Sequence, residues 1–175
     1  MQQRYTKTAV SLHWLMAILI VAAFGLGLTM TDIPGITPTK LRYFSWHKWL
    51  GVTLLGLACL RLLWRLAHPA PVYPASMSAG QKTIASATHF MLYLLMFAVP
   101  VSGYFYTLAA GVPVVYLGLL PLPVLIEPNV ALKPLLKGVH YWLNMLFLAA
   151  FVLHVLGALK HLLWQRDGLF QRILP

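Results

Sequence analysis

Two histidines, His140 and His154, lie fourteen residues apart on one long apolar stretch of this chain. On an α-helix, fourteen residues advance about 21 Å and return to within about 40° of the starting direction. The two imidazoles are therefore expected to face the same way, one near each end of a helix that helps to cross a bilayer. Imidazole is a good ligand for transition metals, so this spacing predicts two metal centres at two depths if other helices supply partners.

Four further histidines lie in or near apolar segments, where an ionisable side chain is costly and usually functional. Judged from the midpoint of each predicted helix, His13 and His154 share one leaflet, and His47 and His140 share the other. One imidazole pair per leaflet suits two haem b groups inside a four-helix bundle, each iron taking two axial ligands. His89 has nearly the same depth as His13 and His154, so the spacing leaves it open as an alternative ligand.

Zinc fits the histidine pattern less well than haem iron. A structural zinc site needs four protein ligands, and each leaflet offers two imidazoles with no suitable carboxylate or thiolate. The single cysteine, Cys59, excludes an internal disulfide and a cysteine-based cluster. His161 follows His154 by seven residues and lies near the membrane boundary, so both His161 and His89 are candidates to bind a haem propionate or a quinone carbonyl.

The composition places these histidines in a membrane protein. Of the 175 residues, 60% are hydrophobic and 9% are charged, whereas soluble domains average about half and about a quarter. Four apolar segments reach the roughly 20 residues that a spanning helix needs. The predicted helices cover about 9–30, 41–66, 82–108 and 134–164. We therefore predict an all-α fold, an integral membrane four-helix bundle that forms a single domain over residues 1–175.

Local signals refine the helix ends and the longest loop. Thr39 is a predicted N-cap of the second helix, and Ser78 to Gln81 has the spacing of a capping box before the third. Pro100 and Gly103 predict a kink in the third helix. The loop over about 109–133 is apolar and rich in proline, which predicts a re-entrant or interfacial cap.

The basic residues indicate topology and not nucleic-acid binding. The net charge is +10, but lysine and arginine lie between the apolar runs and form no continuous stripe. Eight fall on one side of the predicted bundle, namely Arg4, Lys7, Arg61, Arg65, Lys82, Lys160, Arg166 and Arg172. Five fall on the other, namely Lys40, Arg42, Lys48, Lys133 and Lys137. Eight against five predicts both termini in the cytoplasm.

Several short motifs together resemble the bacterial cytochrome b561 family. They are Ser11-Leu12-His13-Trp14-Leu15, His47 early in the second helix, His89-Phe90-Met91-Leu92-Tyr93, and the pattern of His140, His154 and His161. The resemblance covers essentially the whole chain and implies a multi-pass protein of the bacterial inner membrane. It also implies two haem b groups whose axial ligands are His13, His47, His140 and His154, in preference to His89. Members of the family include a superoxide:ubiquinone oxidoreductase and di-haem electron-transfer subunits of hydrogenases and other dehydrogenases.

The charge pattern favours the superoxide oxidase. The five outer basic residues face only Asp32 and Glu127 on that side, and a positive field steers a small anion. Lys48 and Lys137 lie one and three residues from His47 and His140, although they would equally neutralise haem propionates or lipid phosphates. Superoxide supplies one electron and ubiquinone takes two, which two haems together can hold. The predicted partners are thus superoxide, ubiquinone and membrane lipid, with no nucleic acid.

Ubiquinone is expected on the cytoplasmic side, where Ser11, His89 and His161 are candidates to exchange hydrogen bonds or protons with it. Lys7 is a weaker candidate at the same depth. The alternative function is an electron-transfer subunit that links a periplasmic dehydrogenase or hydrogenase to the quinone pool. The apolar loop segment from Val114 to Leu120 would then form part of the docking surface for a redox partner protein.

Overall fold

The structure is a computed structural model that describes residues 4–174, most of which lie in four long helices. Helix α1 covers Lys7–Asp32, α2 Pro38–Ala67, α3 Ala79–Ala109 and α4 Leu132–Lys160, and a π-helical turn, His161–Gln165, continues α4. All four are long and apolar enough to cross a membrane, which confirms the predicted helical membrane fold. They begin two or three residues earlier than predicted, and in α1, α2 and α3 a threonine or serine N-cap sets the start.

The helix caps explain two of these starts. Thr37 is the N-cap of α2, and its hydroxyl accepts a hydrogen bond from the backbone amide three residues on, with Pro38 in the first turn. The prediction that Thr39 caps this helix was wrong, because Thr39 already lies inside it. The capping box of α3 is confirmed, since the Ser78 and Gln81 side chains each accept from the other residue's backbone amide.

Hydrogen bonds place the two ends of the described chain at the same end of the bundle. The Trp14 indole donates to the Ile173 carbonyl at 2.8 Å, and the Tyr5 amide donates to the Arg172 carbonyl at 3.4 Å. We call this end, which contains His13, the inner end. The opposite end, where α1 ends and α2 begins, is the outer end. After the π-helical turn, Phe170–Ile173 form a short 3₁₀ turn that packs back on the first part of α1.

The long loop at the outer end contains a small hairpin that the sequence analysis did not predict. Strands β1, Val115–Tyr116, and β2, Leu120–Pro121, pair in antiparallel fashion. The Trp49 indole of α2 donates to the Val115 carbonyl at 2.8 Å, and Thr53 shares a 2.9 Å hydrogen bond with the Tyr116 hydroxyl. Strands of two residues are too short to show a period of two in the sequence.

The best-buried side chains form an apolar layer across the middle of the bundle. This apolar core layer takes residues from all four helices, namely Met16, Ile20, Ala58, Leu95, Phe147 and Ala150. The Phe24 and Phe147 rings meet beside it with centres 6.0 Å apart. Along α4 the layer residues Phe147 and Ala150 fall between His140 and His154, so the layer separates the two candidate sites.

Candidate functional site

The outer end brings together one histidine from α2 and one from α4. The His47 and His140 ring centres lie 6.4 Å apart with their planes at 84°. His47 Nδ1 lies 3.0 Å from the Ala23 carbonyl oxygen, and His140 Nδ1 lies 3.2 Å from that of Val99. A carbonyl oxygen only accepts, so both Nδ1 atoms carry the proton and both Nε2 atoms keep a lone pair for a ligand bond.

Two glycines make room for these rings. A Cβ on Gly103 of α3 would lie 2.8 Å from His140 Cε1, and a Cβ on Gly27 of α1 would lie 3.3 Å from His47 Cε1. The first distance is below any van der Waals contact, so only glycine allows α3 to approach His140 this closely. The Ser102 hydroxyl, next to Gly103, lies 2.9 Å from His140 Nδ1 and adds a second polar contact.

The inner end brings together three histidines and an arginine. The His13 ring of α1 and the His154 ring of α4 have centres 6.1 Å apart at 70°. The His89 ring of α3 is nearer to His154, with centres 5.2 Å apart at 64°. Arg61 of α2 places Nη2 3.3 Å from His13 Nδ1 and donates from Nε to the Tyr93 hydroxyl at 3.2 Å.

The ring spacings test whether these residues fit a haem iron held by two imidazoles. A histidine nitrogen binds a metal at about 2.0 Å, and the ring centre lies about 1.15 Å behind that nitrogen, so two trans imidazoles have centres about 6.3 Å apart. The His47–His140 spacing of 6.4 Å and the His13–His154 spacing of 6.1 Å both fit. The His89–His154 spacing of 5.2 Å is about 1 Å too short.

A bare metal ion fits less well than haem iron. Within residues 4–174, no three side chains of the types histidine, cysteine, aspartate and glutamate are grouped so that they could hold a metal ion. The outer end supplies two imidazoles on facing helices, and the inner end supplies His13 and His154 with His89 beside them. Two imidazoles are what an iron already bound by a porphyrin requires. The axial ligand set, His13, His47, His140 and His154, stays a prediction that this geometry supports.

The other predicted site residues are more scattered. His161 lies outside the inner cluster of histidines and pairs with Asp167, with Nδ1 and Oδ2 2.7 Å apart and both side chains about nine-tenths buried. Ser11 and Lys7 are exposed on α1 at the inner end. Their role at a quinone site stays a prediction.

The two predicted steering lysines differ in exposure. Lys137 is exposed near the start of α4, and Lys48 is half-buried on α2. In the described part of the chain, no hydrogen bond joins either lysine to His47 or His140. Another outer cation, Lys40, has a structural role, because its Nζ donates to the Ile33 carbonyl at the end of α1 at 2.7 Å.

The sequence analysis did not identify Arg61 as a residue of the inner site, and it predicted for Gly103 only a kink in the third helix. Arg61 was counted among the topology charges, yet α2 continues to Ala67, which puts Arg61 about 9 Å from the end of its helix. A charge at that depth is itself a signal of function. The adjacent small residues Ser102 and Gly103 interrupt an otherwise bulky apolar helix, which is a signal for close approach of a neighbouring group.

Comparison with known proteins gives matches along the whole chain. The family model described as prokaryotic cytochrome b561 matches residues 4–175. Cytochrome b561 homolog 2 of Escherichia coli K12 is 31% identical over 172 residues, which cover 98% of this chain and 92% of the relative. Probable superoxide oxidase CybB of Yersinia pestis is 28% identical, with 100% and 98% covered. Cytochrome b561 homolog 1 of Escherichia coli K12 is 28% identical, with 98% and 97% covered.

Proposed function

The chain belongs to the prokaryotic cytochrome b561 family, and on that premise we propose that it is a superoxide:ubiquinone oxidoreductase with two haem b groups. Family membership and four spanning helices make it a multi-pass electron-transfer protein of the bacterial inner membrane that binds haem b. The proposal adds the number of haems, their ligands, the electron donor and the acceptor. The observation that carries the two-haem part is the pair of distances between imidazole ring centres, 6.4 and 6.1 Å, at opposite ends of the bundle.

In this proposal, His47 and His140 bind the outer iron, and His13 and His154 bind the inner iron. When bound, each haem b supplies a carrier that takes up and releases one electron at a time. The protein holds the ligand imidazoles in place. The carbonyls of Ala23 and Val99 fix the tautomer of the two outer rings, and the packed helices keep the pairs apart.

The outer end supports superoxide as the electron donor. We place the termini in the cytoplasm, as the lysine and arginine count predicts, so the outer end faces the periplasm. Arg42, Lys133 and Lys137 are exposed there, and Lys48 is half-buried. This excess of positive charge would attract a small anion and raise its encounter rate. A relative 28% identical to this chain is named probable superoxide oxidase, which supports the same donor.

The proposed reaction balances with two superoxide anions for each ubiquinone. Each superoxide gives up one electron at the periplasmic side and leaves as dioxygen, and ubiquinone takes two electrons and two cytoplasmic protons to become ubiquinol. Ser11, His89 and His161 are the proposed hydrogen-bonding or proton-exchanging groups around the quinone, with Lys7 as a weaker candidate. In this scheme no side chain forms a covalent bond with a substrate, so the protein contributes binding, steering and proton supply.

Stopped-flow mixing with superoxide tests the proposed donor. We expect the purified haem-loaded protein to be reduced at a near-diffusional rate, about 10⁸–10⁹ M⁻¹s⁻¹, and to form one ubiquinol for every two superoxide anions. The control mixes the same solutions after superoxide dismutase has removed the superoxide. Two bound haems that superoxide fails to reduce would reject the oxidase and leave the electron-transfer subunit as the function.

Reversal of one outer charge tests electrostatic steering. We expect Lys137→Glu to slow superoxide oxidation about 3- to 10-fold at low ionic strength and to flatten its dependence on salt, because the local field that attracts the anion is weakened. The matched control is Lys160→Glu, which makes the same charge change on an exposed side chain of α4 near the inner end. An unchanged rate in Lys137→Glu would assign that lysine a structural role.

One observation favours the second candidate, an electron-transfer subunit that binds a periplasmic redox partner. The hairpin loop exposes Leu117, Leu119 and Leu120, with relative exposures of 54%, 85% and 58%. Exposed apolar side chains grouped on one loop are typical of a surface that meets another protein or a membrane. The loop is bound to α2 through Trp49 and Thr53, so it presents these side chains from a fixed position.

A further inference from the structure

The two histidine pairs differ in what surrounds their Nδ1 atoms. At the outer end, the Nδ1–H groups of His47 and His140 donate to the backbone carbonyls of Ala23 and Val99, at 3.0 and 3.2 Å. A ligand histidine that donates its second N–H to a carbonyl becomes a more basic ligand. A more basic ligand stabilises the more positive, oxidised iron. The backbone around the outer pair therefore favours the oxidised state of that site.

At the inner end a guanidinium lies beside the Nδ1 of His13, where each outer ring has a carbonyl. Arg61 Nη2 lies 3.3 Å from His13 Nδ1, and arginine has donors only and keeps its charge in proteins. Iron ligation through Nε2 leaves a proton on Nδ1, so Arg61 then acts on His13 as a neighbouring positive charge and not as its hydrogen-bond donor. A positive charge close to the site disfavours the extra charge of the oxidised iron.

The position of Arg61 is fixed by a neighbouring tyrosine. Its Nε donates to the Tyr93 hydroxyl at 3.2 Å, and its guanidinium carbon lies 5.9 Å from the centre of the same ring. Arg61 is half-buried within α2, where solvent screens the charge less than at the surface. The next arginine of the helix, Arg65, is exposed. Because Arg61 is half-buried and Arg65 is exposed, Arg61 is the arginine of α2 whose charge acts on the inner histidine pair.

We infer that the positive charge of Arg61 holds the reduction potential of the inner haem above that of the outer haem. The carbonyl bonds at His47 and His140 work in the same direction by lowering the potential of the outer site. Electron transfer from the outer to the inner end is then downhill. The inference rests on the proposed function, because it assumes one haem at each histidine pair.

Redox titration of the purified, haem-loaded protein tests this inference. Arg61→Gln removes the charge and keeps a side chain of similar length. We expect it to lower the equilibrium constant for electron transfer from the outer to the inner haem at least tenfold, which corresponds to about 59 mV for one electron. The shift should appear in the midpoint potential of the inner haem, which is measured alone in a His140→Ala background.

Three companion variants make the result specific. Arg61→Lys keeps the charge and should keep most of the potential, and Tyr93→Phe removes one hydrogen bond and should give a smaller shift. Arg65→Gln, the matched control on the same helix, should shift the midpoint much less because that charge is exposed. An inner midpoint that Arg61→Gln leaves unchanged, or moves no more than Arg65→Gln does, would overturn the inference.

Haem content, measured first, separates this inference from the proposed function. A wild-type protein with fewer than two haems contradicts the proposed function. Two haems whose midpoints do not respond to Arg61→Gln contradict only the role of Arg61. Two haems with an inner midpoint already below the outer one also contradict the inference, since the charge would then fail to set the order of the potentials.

Discussion

Replacement of His13 by alanine is expected to lower the haem content from two haem b groups to one per chain, whereas His89→Ala should retain both. The reason is geometric, because the His13 and His154 ring centres, 6.1 Å apart, leave room for a metal between two imidazoles, and the His89 and His154 ring centres, 5.2 Å apart, leave less. The measurement is the haem-to-protein ratio together with the absorption spectrum of the reduced protein.

Two additions separate loss of a ligand from general damage to the bundle. Imidazole added to His13→Ala should restore part of the lost haem, because it supplies the missing nitrogen. His68→Ala is the matched control, since His68 stacks on Trp64 at the end of α2 and belongs to neither pair. Loss of a haem in His89→Ala but not in His13→Ala would show that His89 is the inner ligand and that the ring spacing misled us.

Gly103→Ala is expected to remove the outer haem, as His140→Ala should, although it changes no ligand. The added methyl group would lie 2.8 Å from His140 Cε1, so the imidazole has to rotate away from the position that faces His47. The haem-to-protein ratio should fall towards one, and the remaining spectrum should match that of His140→Ala.

Other glycines of the bundle provide the controls for this variant. Gly56→Ala places a methyl group in α2 with nothing within 4 Å, and should keep both haems and gain up to about 1 kcal/mol of helix stability. Gly27→Ala, with a Cβ distance of 3.3 Å to His47, should give an intermediate loss. Full haem content in Gly103→Ala would show that α3 moves away and that close approach is not required.

The sequence predicted the bundle because its spans depend on a long-range regularity, and a second such regularity led to the histidine pairs, whose role as ligands stays a prediction. Runs of about 20 apolar residues define the spans, and fourteen-residue spacing puts His140 and His154 on one face of α4. The structure keeps that arrangement and gives each a neighbouring imidazole, His47 and His13. The depth argument could not choose between His13 and His89, because two histidines at equal depth on different helices differ in how those helices pack and rotate, which helical periodicity does not give.

Contacts that depend on one local turn of the backbone could not be predicted from the sequence. Arg166 adopts a positive φ of 49° after the π-helical turn, and this reversal lets Asp167 meet His161. Residues six apart do not face each other on an α-helix, so helical periodicity gives no hint of the pair. The hairpin that binds to Trp49 and Thr53 is another local feature, because two-residue strands leave no pattern to recognise.

The apolar core layer between the two histidine pairs has a consequence for energy conservation. Its methionine, leucine, isoleucine, alanine and phenylalanine side chains offer no hydrogen-bonding group to water or to a hydrated proton. Electrons can tunnel across such a layer, but protons need a polar chain to follow. In the proposed arrangement, with one haem on each side of this layer, electrons therefore cross it and protons do not, which leaves the proton gradient of the membrane intact.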